Sequence, residues 1–280
     1  MGGFSPEWLA LREPADHASR NPQVLAAVGA HFASKASLTV VDLGCGAGSN
    51  LRGSYAALPM RQHWTLVDLD PNLLVATRER LADWADEARE QGEELVLAKG
   101  DHMITVDTRQ ADLTKDLEWV LGWQPDLVTA AALFDLTSKR WIERFVAALT
   151  SQRLPLYTVL TYDGREIWQP PHPADARVLA AFKNHQHGEK GFGPAAGPDA
   201  TDVMAEAFRK SGFAVSIGDS AWRIGEQYGE LAQTLAKGIA DAVLETGQID
   251  GATVADWLAA RTQSAASALV GHHDLWARPV

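Results

Sequence analysis

The stretch that decides the fold is residues 39–50, TVVDLGCGAGSN, in which an apolar run and one aspartate lead into three glycines at alternate positions. A short apolar run that ends at glycines predicts a buried parallel strand. Gly44, Gly46 and Gly48 allow a sharp turn and bring the backbone close to a ligand, because no Cβ stands in the way. The stretch therefore predicts a strand, a ligand-binding turn and the start of a helix.

The sequence around this stretch repeats the alternation of strand and helix. Strand patterns recur in HWTLVDLD, HMITVDTRQADL, DLVTAAALFDL and PLYTVLTYDG, and later in AVSIGDSAWRI and SALVGHHDLWARP. The helical pattern PNLLVATRERLADWADEAREQ predicts one long amphipathic helix over residues 71–91. Strands that alternate with helices in this way predict an α/β fold with a doubly wound, mostly parallel sheet.

Composition restricts the class of substrate and the compartment. The formal net charge is −11, and no basic patch interrupts the acidic residues, so a phosphate backbone would be repelled and nucleic acid is not the expected partner. The only cysteine, Cys45, cannot form an intramolecular disulfide. No secretory leader and no apolar run of membrane-spanning length are found. We expect a cytoplasmic protein without a membrane partner, and the sequence does not set its oligomeric state.

The spacing of the glycines separates two classes of cofactor. A dinucleotide fingerprint, G-x-G-x-x-G, requires a third glycine where this chain has Ser49 or Leu51. Asp42 stands two residues before the first glycine, where a carboxylate would repel a pyrophosphate and would suit a positively charged amino group. An NAD-dependent dehydrogenase is therefore disfavoured.

The segment VVDLGCGAGSN followed by WTLVDLDP resembles motifs I and II of the class I S-adenosylmethionine-dependent methyltransferases. The resemblance implies a Rossmann-like, seven-stranded sheet whose last strand is antiparallel. It also implies S-adenosyl-L-methionine as the cofactor, bound over the carboxyl ends of the first strands, and S-adenosyl-L-homocysteine as the product. The ordered motifs cover residues 38–162, and the two terminal strands match more loosely.

Several cofactor-binding residues follow from this resemblance. Asp42 would face the methionine ammonium, and the three glycines would form the floor of the pocket. Asp68 would bind both ribose hydroxyls, with Asp70 as a competing candidate, because a carboxylate accepts two hydrogen bonds at once. Leu69 would pack on the adenine. Arg20 would reach the cofactor carboxylate from the N-terminal helix, with an ordinary surface arginine as the alternative.

The next two strands supply further candidates. Asp112 matches the acidic residue near the adenine amino group, and Leu113 adjoins it, whereas Asp101 is a competing candidate for the same role. Ala130 and Ala131, at the end of the fourth strand, would line the methionine side of the cofactor.

The resemblance also divides the 280 residues, which form one domain with insertions. An N-terminal helical segment over 1–37 precedes a cofactor-binding core over 38–162. Residues 163–200 are dense in Pro, Gly and His, which predicts a long loop that acts as a lid over the substrate. Helical patterns over 226–266 predict an insertion before the last strand.

Methyl transfer needs little from the protein beyond positioning. The nucleophile must lie in line with the S–CH₃ bond with water excluded, and a base is needed only when the nucleophile carries a proton. The candidates for that base or for an orienting group are Asp135, Tyr162 and His187. Each has a structural alternative, respectively a carboxylate at a helix N-terminus, a core aromatic and an exposed loop residue. The histidines have no metal-ligand spacing, so no metal site is predicted.

The sequence predicts in-line methyl transfer to a small-molecule acceptor, and two other functions stay open. One is a protein that binds S-adenosylmethionine or S-adenosylhomocysteine without catalysis. The other is a nucleic-acid methyltransferase, although TAAALFDL differs from the N/D-P-P-Y/F/W signature of adenine amino methylation. Cytosine methylation would require a Pro-Cys nucleophile, and Cys45 lies in the glycine turn instead.

Overall fold

The computed structural model describes residues 4–263 and 266–280. Residues 1–3 and 264–265, which belong to the predicted N-terminal segment and helical insertion, lie outside the described residues. The helices are α1 Pro6–Ser19, α2 Pro22–Phe32, α3 Ser49–Ser54, α4 Pro71–Trp84, α5 Leu117–Leu121, α6 Lys139–Ser151, α7 Asp175–Gln186, α8 Ala200–Lys210, α9 Gly229–Thr246 and α10 Gly251–Arg261. The strands are β1 Leu38–Leu43, β2 Arg61–Asp68, β3 Glu87–Gln91, β4 Glu94–Lys99, β5 His102–Gln110, β6 Leu127–Ala131, β7 Leu156–Gln169, β8 Phe213–Asp219, β9 Trp222–Ile224 and β10 Ser267–Pro279.

One sheet in the order β3-β4-β5-β2-β1-β6-β7-β10-β8 runs through the molecule, and β9 pairs with β10. The five strands from β5 to β7 are mutually parallel, whereas β10 is antiparallel to both β7 and β8. Val40 and Val41 are neighbours in β1 but belong to two separate apolar clusters, because successive side chains of a strand point to opposite faces. Both faces of the sheet are therefore covered, which confirms the doubly wound arrangement.

The seven strands β5-β2-β1-β6-β7-β10-β8 correspond to the predicted sheet with its antiparallel last strand. The extra strands are the β3–β4 hairpin at one edge and the short β9. The prediction of a single helix over 71–91 was wrong, because the helix ends at Trp84 and the chain turns back as β3. Every residue of β3 is exposed, so this stretch has no apolar stripe to hold a helix against the core. Gly92, with φ +65°, makes the hairpin turn.

The segment 163–200 also differs from the long loop that its composition predicts. β7 continues to Gln169 because β10 pairs with it up to that residue, and α7 occupies Asp175–Gln186. The insertion before the last strand contains α9 and α10, and α9 packs on both α7 and α10. Among the described residues, no helix is both long and apolar enough to cross a membrane.

Candidate functional site

A cavity of about 540 Å³ lies at the carboxyl ends of the parallel strands. Its walls come from the segments that follow β1, β2, β5 and β6, from α1, and from residues 190–192. The volume is within the range of pockets that bind small molecules and cofactors. In doubly wound folds the ligand crevice forms outside the carboxyl ends of the strands, which is where this cavity lies.

The glycine turn and the end of β2 form the floor of the cavity. The Gly46 N–H donates to Asp68 Oδ2 at 2.9 Å, and the Asp70 N–H donates to Asp68 Oδ1 at 3.0 Å. Burial raises the pKa of Asp68, although these backbone donors oppose the shift. Gly44 and Gly46 line the cavity with φ of +62° and +54°, and Gly48, with φ +77°, starts α3 behind them. A carboxylate can accept more hydrogen bonds than these, so Asp68 keeps acceptor capacity for a ligand in the cavity that it lines.

Asp42 lies behind the cavity wall. Its side chain is fully buried, and Oδ1 accepts hydrogen bonds from Asn50 Nδ2 at 2.7 Å and from Thr129 Oγ1 at 2.6 Å. Desolvation raises the pKa of Asp42 to about 6, against the opposing effect of these two donors. Asn50 lines the cavity, whereas Asp42 does not, so the predicted direct contact between Asp42 and a ligand ammonium is not formed by the cavity wall, and Asp42 holds Asn50 in place instead. The sequence argument missed Asn50, whose signal is its place in the first turn after the glycines.

The segment after β5 supplies the next part of the wall. Asp112, Leu113 and the exposed Leu69 all line the cavity. A hydrogen bond from Lys115 holds the pKa of Asp112 below its usual range. Asp101 precedes the first residue of β5, so it lies at the opposite edge of the sheet. Of the two competing carboxylates, only Asp112 is in contact with the cavity.

Arg20 is a buried cation on the cavity wall. Its exposed fraction is 7%, and Nη1 donates to Asn50 Oδ1 at 2.9 Å and to Ser54 Oγ at 3.0 Å. Within residues 4–263 and 266–280, Arg20 forms no ion pair with a carboxylate, and its buried Nε has no hydrogen-bond partner. The buried carboxyls of Asp42 and Asp274 interact with Arg20 only at longer range, so an anionic ligand in the cavity would be its first direct ion-pair partner.

At the other end of the cavity, β6 and β7 contribute strained backbone. Ala132 and Leu160 line the cavity with φ of +50° and +58°, a region that non-glycine residues rarely adopt. The Leu160 conformation is held by Asp274 Oδ1, which accepts its N–H at 3.0 Å. Ala131 also lines the cavity, whereas Ala130 is fully buried beneath it. Backbone strain of this kind persists only where the surrounding structure holds it in place, and it is found most often at functional sites.

The three candidate catalytic residues lie in different environments. Asp135 follows β6, between Leu133 and Leu136, which both line the cavity. Its Oδ1 is buried without a hydrogen-bond partner in the described structure. Desolvation raises the pKa of this carboxyl to about 6. Tyr162 lies within β7, is 7% exposed and packs against Phe182. His187 ends α7 and contacts the Ala195 carbonyl through Nδ1 at 3.3 Å. None of the three side chains, Asp135, Tyr162 and His187, lines the cavity.

The sequence argument also missed a side-chain cluster that closes this end of the cavity. Arg12 and Asp16 of α1 form an ion pair with an N–O distance of 2.8 Å, and both line the cavity. The Trp222 indole N–H donates to Asp16 Oδ1 at 3.0 Å. Lys190 and Phe192, from the predicted lid, complete the wall. No local spacing reveals this cluster, because its members are brought together by the packing of α1 on β9.

One group of potential metal ligands is found in the described part of the chain. His63, Glu94 and Asp107 place one ligand atom each within 4.8 Å of the others, on strands β2, β4 and β5. Arg109 Nη2 lies 3.4 Å from Asp107, which opposes a cation there. None of the three residues lines the cavity.

Comparisons with known proteins give structural neighbours only. No model of a protein family matches the sequence, and no curated protein matches it. A cyclopropane-fatty-acyl-phospholipid synthase-like protein from Lactobacillus casei is similar in structure, with a TM-score of 0.56 and 13% identity over 98% of this chain and 94% of that chain. A cyclopropane synthase from Mycobacterium tuberculosis has a TM-score of 0.49 and 13% identity, covering 98% of this chain and 95% of that chain.

A methyltransferase from Thiobacillus denitrificans, solved with S-adenosyl-L-homocysteine, has a TM-score of 0.45 and 14% identity over 98% of this chain and 99% of that chain. The likeness to the Lactobacillus casei structure establishes a shared fold. That fold is the doubly wound, Rossmann-like α/β arrangement implied by the resemblance to class I methyltransferases.

Proposed function

We propose that this protein is an S-adenosyl-L-methionine-dependent methyltransferase that transfers a methyl group to a small-molecule acceptor. One observation carries the proposal: a single cavity is lined both by the Asp68 carboxylate and by Arg20, a buried cation without a carboxylate partner in the described structure. A carboxylate with free lone pairs suits a ribose diol, and a guanidinium suits the carboxylate of the methionine part. S-adenosylmethionine carries both groups.

The other wall residues fit the remaining parts of this cofactor. The glycine turn lets the ligand approach the backbone, since a Cβ at Gly46 would lie 3.1 Å from Leu9 Cδ1 and narrow the pocket. Leu69 and Leu113 offer apolar surface for the adenine, and Asp112, on the same part of the wall, would accept from the adenine amino group in this binding mode. Asn50 donates to Asp42 through its amide nitrogen and accepts from Arg20 Nη1 through its amide oxygen, so it fixes the position of Arg20 on the wall.

When bound, the cofactor supplies an activated methyl group on a sulfonium. The protein must hold the acceptor in line with the S–CH₃ bond and exclude water. Leu133, Leu136 and Leu160 provide the apolar wall at the β6–β7 end, and Phe192 covers it. Asp135 stays the candidate base for an acceptor that carries a proton: its neighbours Leu133 and Leu136 line the cavity while its own carboxyl lies behind them, and burial raises its pKa to about 6.

The test is calorimetric titration of the purified protein with S-adenosyl-L-homocysteine, with NADH titrated in parallel. We expect micromolar binding of the first ligand, on the order of −8 kcal/mol, and no binding of NADH. Binding of NADH without S-adenosylhomocysteine would contradict the proposal.

A second experiment separates catalysis from binding. Methyl-labelled S-adenosylmethionine is incubated with the protein and a panel of small acids, amines, phenols and thiols, and label transfer is measured. Transfer to a panel member supports the enzyme. Cofactor binding with no transfer to any member would favour the non-catalytic binding protein.

A further inference from the structure

The β6–β7 end of the cavity contains a second arginine that is held in a fixed orientation. Arg12 Nε and Nη2 donate to the two carboxylate oxygens of Asp16 at 2.8 and 3.1 Å. Its guanidinium carbon lies 4.9 Å from the centre of the Trp222 ring, and its side chain is 11% exposed. One edge of the guanidinium is therefore occupied by Asp16 and one face by Trp222.

The third nitrogen of Arg12 has a different environment. Nη1 has no hydrogen-bond partner within residues 4–263 and 266–280, and it is not sealed from solvent. Because Arg12 lines the cavity, this N–H group is available to a ligand there. Hydrogen bonds between a guanidinium and an anion are stronger than neutral ones, and the fixed orientation of Arg12 reduces the entropy lost on binding.

Arg12 in α1 and Arg20, directly after α1, lie at different parts of the cavity. Arg20 contacts Asn50 and Ser54 of α3, directly after β1. Arg12 is tied through Asp16 to Trp222 of β9, and β9 lies on β10, which pairs with β7. Arg20 therefore lies on the side of the proposed cofactor, whereas Arg12 lies on the side left for the acceptor.

The groups around Arg12 restrict the chemistry of that acceptor. The wall at this end is mostly apolar, with Leu136, Leu160 and Phe192, and Lys190 is the other cation that lines it. The Asp16 carboxylate already accepts from Arg12 and from the Trp222 indole, so it is compensated and offers little to an ammonium group. The Arg12 N–H and the apolar wall together suit a molecule with an apolar body and one carboxylate.

Building on the proposed function, we propose that the methyl acceptor is a small organic acid whose carboxylate binds Arg12 Nη1. Asp16 and Trp222 are positioning residues that orient the guanidinium.

The test uses matched acids, amides and amines as probes: benzoate, benzamide and benzylamine, and octanoate, octanamide and octylamine. Each is titrated calorimetrically into the full-length protein with and without saturating S-adenosyl-L-homocysteine. We expect each acid to bind at least about tenfold more tightly than its amide and amine. Arg12→Gln should weaken acid binding about ten- to a hundredfold and leave the S-adenosylhomocysteine affinity unchanged.

Arg144→Gln is the control for loss of one positive charge, because Arg144 is exposed and pairs with Glu118. Any of three results would overturn the proposal. The wild type could bind acid and amide equally, it could bind no acid, or Arg12→Gln could keep the same preference for acids. If Arg12→Gln does not fold, the double variant Arg12→Gln/Asp16→Asn, which removes both charges of the pair, replaces it. Arg12-dependent acid binding without S-adenosylhomocysteine binding would contradict the proposed function and still support the acid site.

Discussion

The two ends of the cavity are built in different ways. At the β1–β2 end the main contact, from the Gly46 N–H to Asp68, joins residues 22 positions apart. At the β6–β7 end the contact between Asp16 and Trp222 joins residues 206 positions apart. The first end depends on a short strand–turn–helix unit with its neighbouring strand, and the second depends on the docking of α1, β9 and the 190–192 segment. Local spacing therefore encodes the proposed cofactor end, whereas tertiary packing creates the proposed acceptor end.

The largest expected effect concerns the β1–β2 end. Asp68→Asn removes the charge that would accept both ribose hydroxyls, so we expect S-adenosylhomocysteine affinity to fall about a hundredfold or more in calorimetry. The asparagine oxygen can still accept the Gly46 N–H, so the fold should be retained. Asp126→Asn, at an exposed ion pair with Lys35, is the control. Unchanged affinity in Asp68→Asn would refute the ribose role.

A large effect on the free energy of unfolding, and on its pH dependence, is expected for Glu166 of β7. Desolvation raises the pKa of Glu166 to about 7, while the Trp168 indole N–H, donating at 2.9 Å, opposes the shift. The native state thus binds more protons than the unfolded chain between about pH 4.5 and pH 7, so stability falls as the pH rises through this window. Glu166→Gln should be about 1–3 kcal/mol more stable than the wild type at pH 8.

Urea unfolding of both proteins at pH 5 and pH 8 measures this difference. At pH 5 the wild-type carboxyl is mostly neutral, so the gap between the two proteins should shrink. A gap that is the same at both pH values would show that Glu166 does not titrate in the native state over this range.

A smaller effect on S-adenosylhomocysteine affinity is expected for Arg20, the buried cation on the β1 side of the cavity. Arg20→Gln should weaken S-adenosylhomocysteine binding about tenfold or more, because the ligand carboxylate loses a charged donor. The substitution breaks no direct ion pair, so stability should fall only by the contribution of the hydrogen bonds to Asn50 and Ser54, about 1–2 kcal/mol. Calorimetry and thermal unfolding measure the two quantities. A large loss of stability with unchanged affinity would assign Arg20 a structural role instead.

The smallest expected effect on ligand affinity comes from replacing a glycine of the turn after β1 with alanine. Gly46→Ala and Gly92→Ala both introduce a Cβ at positive φ and should each cost about 1–2 kcal/mol of stability. A Cβ at Gly46 would also meet Leu9, whereas nothing lies within 4 Å of one at Gly92. Only Gly46→Ala should also weaken S-adenosylhomocysteine binding, in parallel calorimetric titrations. Equal affinities in the two variants would argue against close approach of the ligand to the turn.

The sequence predicted the doubly wound fold because strand and helix periodicities are local properties of the chain. It did not predict the β3–β4 hairpin, since the exposed strand β3 lacks the alternating burial that identifies a strand. It also left Asp101 and Asp112 as alternatives. The direction of β5 in the sheet places only Asp112 at the edge that carries the cavity.

By itself, the sequence determined the fold class. It also determined which residues form the turn after β1 and which carboxylate ends β2. All three depend on residues that are close together in the chain. Only the tertiary structure decided that Asp42 lies behind Asn50, and that Arg12 lines the cavity while its Nη1 has no partner among the described residues. Side-chain burial and ion pairing between distant segments depend on how helices and strands dock, and no local periodicity records that docking.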